Sequence, residues 1–185
     1  RWLGAGHDVT ATAGARHSQL RRQVAGLLSA RSGAPRLPAM LASAMSFCRG
    51  WSVGRTYPVL PQMHRLVGDP VGLALANHPL GDRVHDAITY ARYSVGPGLG
   101  AYPAMFRFYP GYLLARRRMT RFLGAIIEDH RAHPPSSDRP ADFIDGLLGG
   151  VDEEGRPLPP AAVFANAQMV YTNSILYGGP SMAFL

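Results

Sequence analysis

The sequence predicts an all-α fold, an orthogonal multi-helix array. Three observations predict it. Apolar residues recur at three- and four-residue spacing through most of the 185 residues, the period of a helix with one buried face. No stretch sustains the two-residue alternation of a half-buried strand. Residues 160–185, PAAVFANAQMVYTNSILYGGPSMAFL, carry no charge and place apolar side chains all round the helical wheel, which marks a helix buried on every side.

The elements follow in order. Residues 1–15 read as a loop-like lead-in, with Gly4, Gly6 and Gly14. Arg16 to Ala30 reads as a helix on the stripe Leu20, Val24, Leu27 and Leu28. Ser32-Gly33-Ala34-Pro35 breaks it. Leu37 to Val53 reads as a second helix, with Leu37, Met40, Leu41, Met45 and Phe47 inward. Val59 to Ala76 reads as a third, with Leu60, Met63, Leu66, Val67, Val71 and Leu75 inward and a bend at Gly68-Asp69-Pro70. Asn77 to Gly81 is a turn, and Asp82 starts a fourth helix that runs to Ser94.

Val95 to Pro110 is too rich in proline and glycine for a regular helix, yet carries Tyr102, Phe106, Phe108 and Tyr109. A loop of that length in a compact domain is usually functional. Tyr112 to Ala132 is an amphipathic helix with Leu113, Met119, Phe122, Leu123, Ile126 and Ile127 inward and its arginines outward. His133 to Pro140 is a loop. Asp142 caps a short helix to Leu148. Val151 to Leu158 is an acidic turn leading into the last helix, which Pro160 opens. Gly178-Gly179-Pro180 should distort that helix, since two residues without side chains precede one without an N–H.

Composition sets limits. The length suits one domain, and a hydrophobic content of 46% says globular. The net charge of +7 comes entirely from arginine, there being no lysine. Those arginines are scattered apart from Arg116-Arg117-Arg118 and Arg121, with no interleaved aromatics and no zinc-finger spacing, so nucleic acid is not the expected partner. Cys48 stands alone, which excludes an internal disulfide or a CxxC metal site; its apolar setting suggests a buried, inert thiol. Asn166, Gln168, Thr172, Asn173, Ser174 and the glycine-proline break argue against a membrane span in the last helix. No secretory leader is evident, and the expected compartment is the cytoplasm. The chain starts on Arg1 and stops at Leu185 inside an uncapped apolar run, so residues 1–185 read as a single incomplete domain.

There is no Gly-rich phosphate loop, no HExxH and no GxSxG. His17 and Arg21 form the one histidine pairing at useful spacing. Four residues apart, they share a helix face and can grip two carboxylates of one ligand, the arginine with a bidentate fork. A solvated helix face is the alternative reading of the same pair.

GARHSQLRR resembles the haem-propionate helix of the cytochrome P-450 family, haem-thiolate monooxygenases of the bacterial soluble type; Gly14, His17, Arg21 and Arg22 match its G-x-x-H-x-x-x-R-R form. DFIDGLLGGVDEEGRPLPPAAVFANA resembles the family's short helix, acidic turn and start of its central helix. The resemblance covers essentially the whole chain and makes it the middle of a larger, mostly helical haem-thiolate fold. It implies haem as cofactor, held by His17 and Arg21. It puts Gly178 and Gly179 where the central helix bulges to admit oxygen, and Ser181 and Met182 where the family usually has the acid and threonine that deliver protons. It makes the Val95–Pro110 loop the substrate-entry lid, with Tyr102 and Phe106 there and Tyr177 beside the bulge as substrate contacts.

Two departures matter. Ser181 can relay a proton but Met182 cannot. The family's iron-ligating cysteine loop lies C-terminal to the central helix, and Cys48 does not match its context, so no metal ligand is assigned. The resemblance further implies a small apolar organic substrate and electrons from NAD(P)H through a ferredoxin or flavoprotein. The rival expectation is a non-enzymatic helical domain that binds a lipid-like ligand or a partner protein.

Overall fold

The computed structural model describes residues 7–97 and 100–183. Eight α-helices order these residues: α1 (Gly14–Leu27), α2 (Ala30–Gly33), α3 (Leu37–Arg49), α4 (Val59–Ala76), α5 (Val84–Val95), α6 (Pro110–Ala132), α7 (Phe143–Leu148) and α8 (Pro160–Ala183). Among the described residues the only extended pairing is one antiparallel bridge between Val151 and Pro157, in the acidic turn. The all-α expectation holds.

Local chemistry sets the boundaries. Pro38 and Pro110 occupy first-turn positions of α3 and α6, where a missing N–H costs nothing. Asn77 ends α4 in the left-handed conformation at φ 48°, which asparagine tolerates better than most residues. Asp142 caps α7 by accepting from the Ile144 and Asp145 N–H groups at 2.9 and 3.1 Å, and Asp145 accepts in return from the Asp142 N–H at 3.0 Å. That reciprocal box satisfies donors a six-residue helix otherwise leaves bare.

The core forms where α8 is enclosed by α4, α5, α6 and α7. It is built from Tyr112, Met119, Leu123 and Ile127 of α6, Phe143, Ile144 and Leu147 of α7, and Val163, Tyr171 and Ile175 of α8. Leu20 and Val24 bring α1 onto α7, close enough that a Cβ on Gly146 would sit 2.0 Å from Leu27 Cδ2.

Several expected faces differ. α3 buries no residue: Leu37, Leu41 and Met45 are about half exposed, and Cys48 is exposed rather than buried. The reason is that α4 is the one long helix α3 packs on closely among the described residues, so much of its apolar stripe has no helix to meet. Leu28 and Leu113 also point outward, and Tyr112 and Ala115 take the inward places on α6. α4 passes through Pro70 and α8 through Pro180 without a break in either helix.

A buried ion pair locks the end of α6 to α7. His130 Nδ1 meets the Ile126 carbonyl at 2.8 Å, and Nε2 meets Asp142 Oδ2 at 2.8 Å. A carbonyl and an ionised carboxylate both need a donor, so the ring is an imidazolium. Burial opposes that charge, but the hydrogen bond and charge of Asp142, the Ile126 carbonyl and Asp145 outweigh it, and the His130 pKa is raised. Arg139 closes the cluster with a fork onto Asp145 at 2.8 and 3.0 Å. Three ligand-type groups, His130, Asp142 and Asp145, lie together here, but the imidazolium and guanidinium already neutralise the carboxylates and leave a metal ion no vacant donor.

Because the folded pKa of His130 is raised above its unfolded value, the pair's contribution is complete below about pH 6.5 and fades as pH rises through the raised pKa. His130→Ala is expected to cost about 3–5 kcal/mol at pH 6 and less at pH 9. Urea midpoints of both proteins across that range test this. A cost that does not change with pH contradicts the charged pair.

Candidate functional site

α8 is the axis of the candidate site, and its few polar residues act as tethers. Asn166, fully buried, accepts from the Val9 N–H at 2.9 Å and donates to the carbonyls of His7 and Ala162. Gln168 donates to the Tyr90 hydroxyl of α5. The Tyr171 hydroxyl donates to the His78 carbonyl at 3.0 Å, in the turn after α4. Thr172 bonds back to the Gln168 carbonyl at 2.7 Å, as threonine in a buried helix commonly does. Burial, with the neighbouring Tyr112 adding to it, pushes the Tyr90 pKa up to about 12, and burial raises that of Tyr171 too, so both stay neutral, Tyr90 accepting from Gln168 and Tyr171 donating to His78.

The first tether reaches the expected carboxylate grip. Asn166 holds Val9, and the Val9 carbonyl lies 2.8 Å from His17 Nδ1. A carbonyl can only accept, so Nδ1 carries the proton and Nε2 is the outward nitrogen. Arg21, one turn further along α1, is exposed, and no carboxylate of the described residues pairs with it. The free guanidinium of Arg21 suits a ligand carboxylate, and the fixed imidazole on the same face adds a second donor only when Nε2 is protonated as well. Asn166 escaped the sequence reading as a site residue, because nothing in the sequence separates it from Gln168 and Asn173, the other amides of the same uncharged helix.

The Gly178-Gly179-Pro180 segment has a specific neighbour. A Cβ on Gly179 would lie 2.3 Å from Cδ2 of His64 on α4, and one on Gly178 would lie 2.9 Å from Cγ1 of Val67. The glycines thus admit α4 against α8. Pro180 lacks the N–H that would reach the carbonyl of Leu176 in a regular turn. The His64 imidazole lies against that carbonyl. Burial lowers the His64 pKa most, the Leu176 carbonyl raises it as a hydrogen-bond acceptor, and the charge of Arg92 lowers it again. The pKa ends below its usual value, so the ring is neutral. Its Nε2 is buried without a partner at good hydrogen-bond geometry.

The opposite face of the same turn is open. Tyr177 and Ser181 are exposed, four residues apart, and Ser181 donates to the Tyr177 carbonyl at 2.9 Å. The Met182 side chain lies outside the described residues. Tyr102 and Phe106 pack on Tyr93 of α5, with ring centroids at 5.5 and 5.8 Å, in a short 3-10 turn (Ala104–Phe108) that rests on α5 and α6. His17 is thus linked through Val9 to Asn166 in the first half of α8, the aromatic loop rests on α5 and α6, and Tyr177 to Ser181 lie near the end of α8. From Asn166 to Gly179 the rise along the helix is about 20 Å.

No family model matches the sequence, and no curated protein matches it. Solved structures do. One is a cyanobacterial CYP120A1 with retinoic acid bound, at TM-score 0.75 and 18% identity, over 99% of this chain and 40% of that one. Another is the cytochrome P450DA heme domain, at TM-score 0.72 and 16% identity, over 98% of this chain and 41% of that one. The chain has the helical fold of these cytochrome P450 structures and spans about two fifths of their length.

The seam predicts unequal costs for two adjacent substitutions. Gly179→Ala drives a methyl group into His64 and is expected to destabilise by about 1–3 kcal/mol, beyond the gain of up to about 1 kcal/mol in helix propensity. Gly178→Ala meets only a side-chain methyl and is expected to stay within about 1 kcal/mol of the parent. Equal midpoints of urea unfolding for the two variants contradict this packing.

Proposed function

We propose that this chain is the middle portion of a haem-thiolate monooxygenase domain. The observation that carries the reading is the likeness to cytochrome P450 structures over 99% of the chain. It is supported by α1, where a free Arg21 fits a haem propionate and an oriented His17 shares its helix face. When bound, haem supplies the redox chemistry needed to insert one oxygen atom from O2 into an organic substrate.

The remaining work falls to this chain's own residues. Arg21 grips a propionate through its fork. His17, oriented through Val9 by Asn166, adds a second contact when its outward Nε2 also carries a proton. The apolar body of α8 keeps water from the reacting region. Gly178 and Gly179 let the helix lie close to α4, and Ser181 holds a proton directed at the Tyr177 carbonyl. Tyr102, Phe106 and Tyr177 are the proposed substrate contacts. The substrate is a small apolar organic molecule, in keeping with the retinoic acid bound to the cyanobacterial neighbour. NAD(P)H supplies electrons through a ferredoxin or flavoprotein. The exposed Cys48 on α3 is not the iron ligand in this reading. No helix of the described residues is long and apolar enough to cross a membrane, and none is needed here.

The protein that carries this chain is expected to show a thiolate-type Soret band when reduced under carbon monoxide. Within it, Arg21→Ala should weaken haem retention by about 1.5–3 kcal/mol, the range for a charge-assisted hydrogen bond, and His17→Ala by less. Unchanged haem occupancy in both single variants and the double variant removes the propionate assignment. A protein that never binds haem favours a helical domain for a lipid-like ligand instead.

A further inference from the structure

The 3-10 turn and the start of α6 expose a run of large apolar side chains. Phe108 is 79% exposed and Met105 72%, and Tyr109, Leu113 and Leu114 are each about half exposed. Tyr109 is held from below by Tyr93 of α5, with ring centroids at 5.6 Å. Its ring also fills the space beside Gly111, where a Cβ would lie 2.6 Å from Cε1. Met105 and Phe108 project from the turn so anchored. Together these five side chains present on the order of 500 Å² of largely apolar surface, a size at which an exposed patch marks an interaction site.

Positive charge borders this patch. Leu113, Arg117 and Arg121 follow one another at four-residue spacing on α6, as do Leu114 and Arg118, so the apolar tip passes into a row of guanidiniums on the same face. All three arginines are exposed. Arg118 meets Asp86 at 3.5 Å, whereas Arg117 and Arg121 form no ion pair among the described residues. From Ala87 to Ile127 the chain carries Arg92, Arg107, Arg116, Arg117, Arg118 and Arg121 and no Asp or Glu.

A contact with another folded surface would bury these arginines together with the apolar tip, at a desolvation cost that the carboxylate-free stretch does nothing to offset. A lipid surface takes the tip and leaves the guanidiniums in water at headgroup level. We infer that this end of the molecule docks peripherally on an anionic lipid surface. Met105, Phe108, Tyr109, Leu113 and Leu114 enter the boundary between headgroups and acyl chains, and Arg117, Arg118 and Arg121 meet the lipid phosphates. The inference rests on exposure and charge and stands apart from the haem reading.

Flotation of the protein that carries this chain with lipid vesicles tests the inference. Vesicles of equal parts phosphatidylglycerol and phosphatidylcholine are expected to bind it saturably, and phosphatidylcholine alone at least about tenfold more weakly. Raising salt from about 0.1 M to about 0.5 M should weaken the first and leave the second unchanged. Met105→Ser with Phe108→Ser should weaken binding to both vesicles at least about tenfold. Arg117→Gln with Arg121→Gln should weaken only the anionic case, by about the same factor. Leu41→Ser with Met45→Ser, on the exposed face of α3, should change neither. Absence of saturable binding, equal affinity for the two vesicles, binding untouched by either pair at the tip, or binding lost with the α3 pair each overturns the proposal. So does retention on soluble polyglutamate with none on vesicles, which would mark an acidic protein partner.

Discussion

The close approach of α4 to α8 is the contact on which the rest of the array depends. Two helices come this near only where side chains are missing, and here they are missing on both sides. Gly178 and Gly179 of α8 face Val67 and His64. Gly72 of α4 faces Tyr171, and a Cβ there would lie 2.3 Å from the His78 carbonyl and 2.9 Å from the Tyr171 hydroxyl. The seam therefore exchanges intrinsic helix propensity for backbone proximity. It also explains why the glycine-proline segment does not interrupt α8. The carbonyl left without its N–H by Pro180 has the His64 imidazole of the neighbouring helix beside it, a polar neighbour in place of the missing one.

Around that seam, buried polar groups fix position more than they add stability. Asn166, Gln168 and Tyr171 each hydrogen-bond to a different part of the structure: the lead-in, α5 and the turn after α4. Left unpaired, any of them would cost more than a formed bond contributes, so they select one rotation of α8 over its alternatives. The charged cluster of His130, Asp142, Asp145 and Arg139 does the same at the junction of α6 and α7. The two ends of α8 thus become predictable in space, and His17 inherits its orientation from one of them.

Much of this was legible in the sequence. Helical periodicity gave α4 and α6 to within two residues at each boundary and the start of α8, and the Asp142 cap was read from the residue type before an apolar run. The inward face of α4 was read in part: Leu75 is buried, Val71 packs on the core and Val67 meets α8 as expected, whereas Leu60 is exposed. His64, Gly68 and Gly72, which recur at four-residue spacing and are also buried, carry no hydrophobic signal and were not read. A seam made of glycines has no hydrophobic signal to detect. The exposure of α3 was equally invisible, because an apolar stripe says that a helix can be buried and not whether a partner lies alongside. For the candidate site, the spacing of His17 and Arg21 was readable, whereas the Asn166–Val9–His17 relay joins residues 157 positions apart and exists only in the folded chain.

The central claim is that Gly179 and His64 form one packed unit that carries α8 past Pro180. A double-mutant cycle tests it most directly. Unfolding free energies of the parent, Gly179→Ala, His64→Ala and the double variant give the coupling between the two positions. The account predicts that removing the imidazole makes room for the added methyl, leaving the double variant more stable than the sum of the single effects by at least about 1 kcal/mol. Additivity to within about 0.5 kcal/mol would mean that the two residues do not share a contact, and would contradict the account.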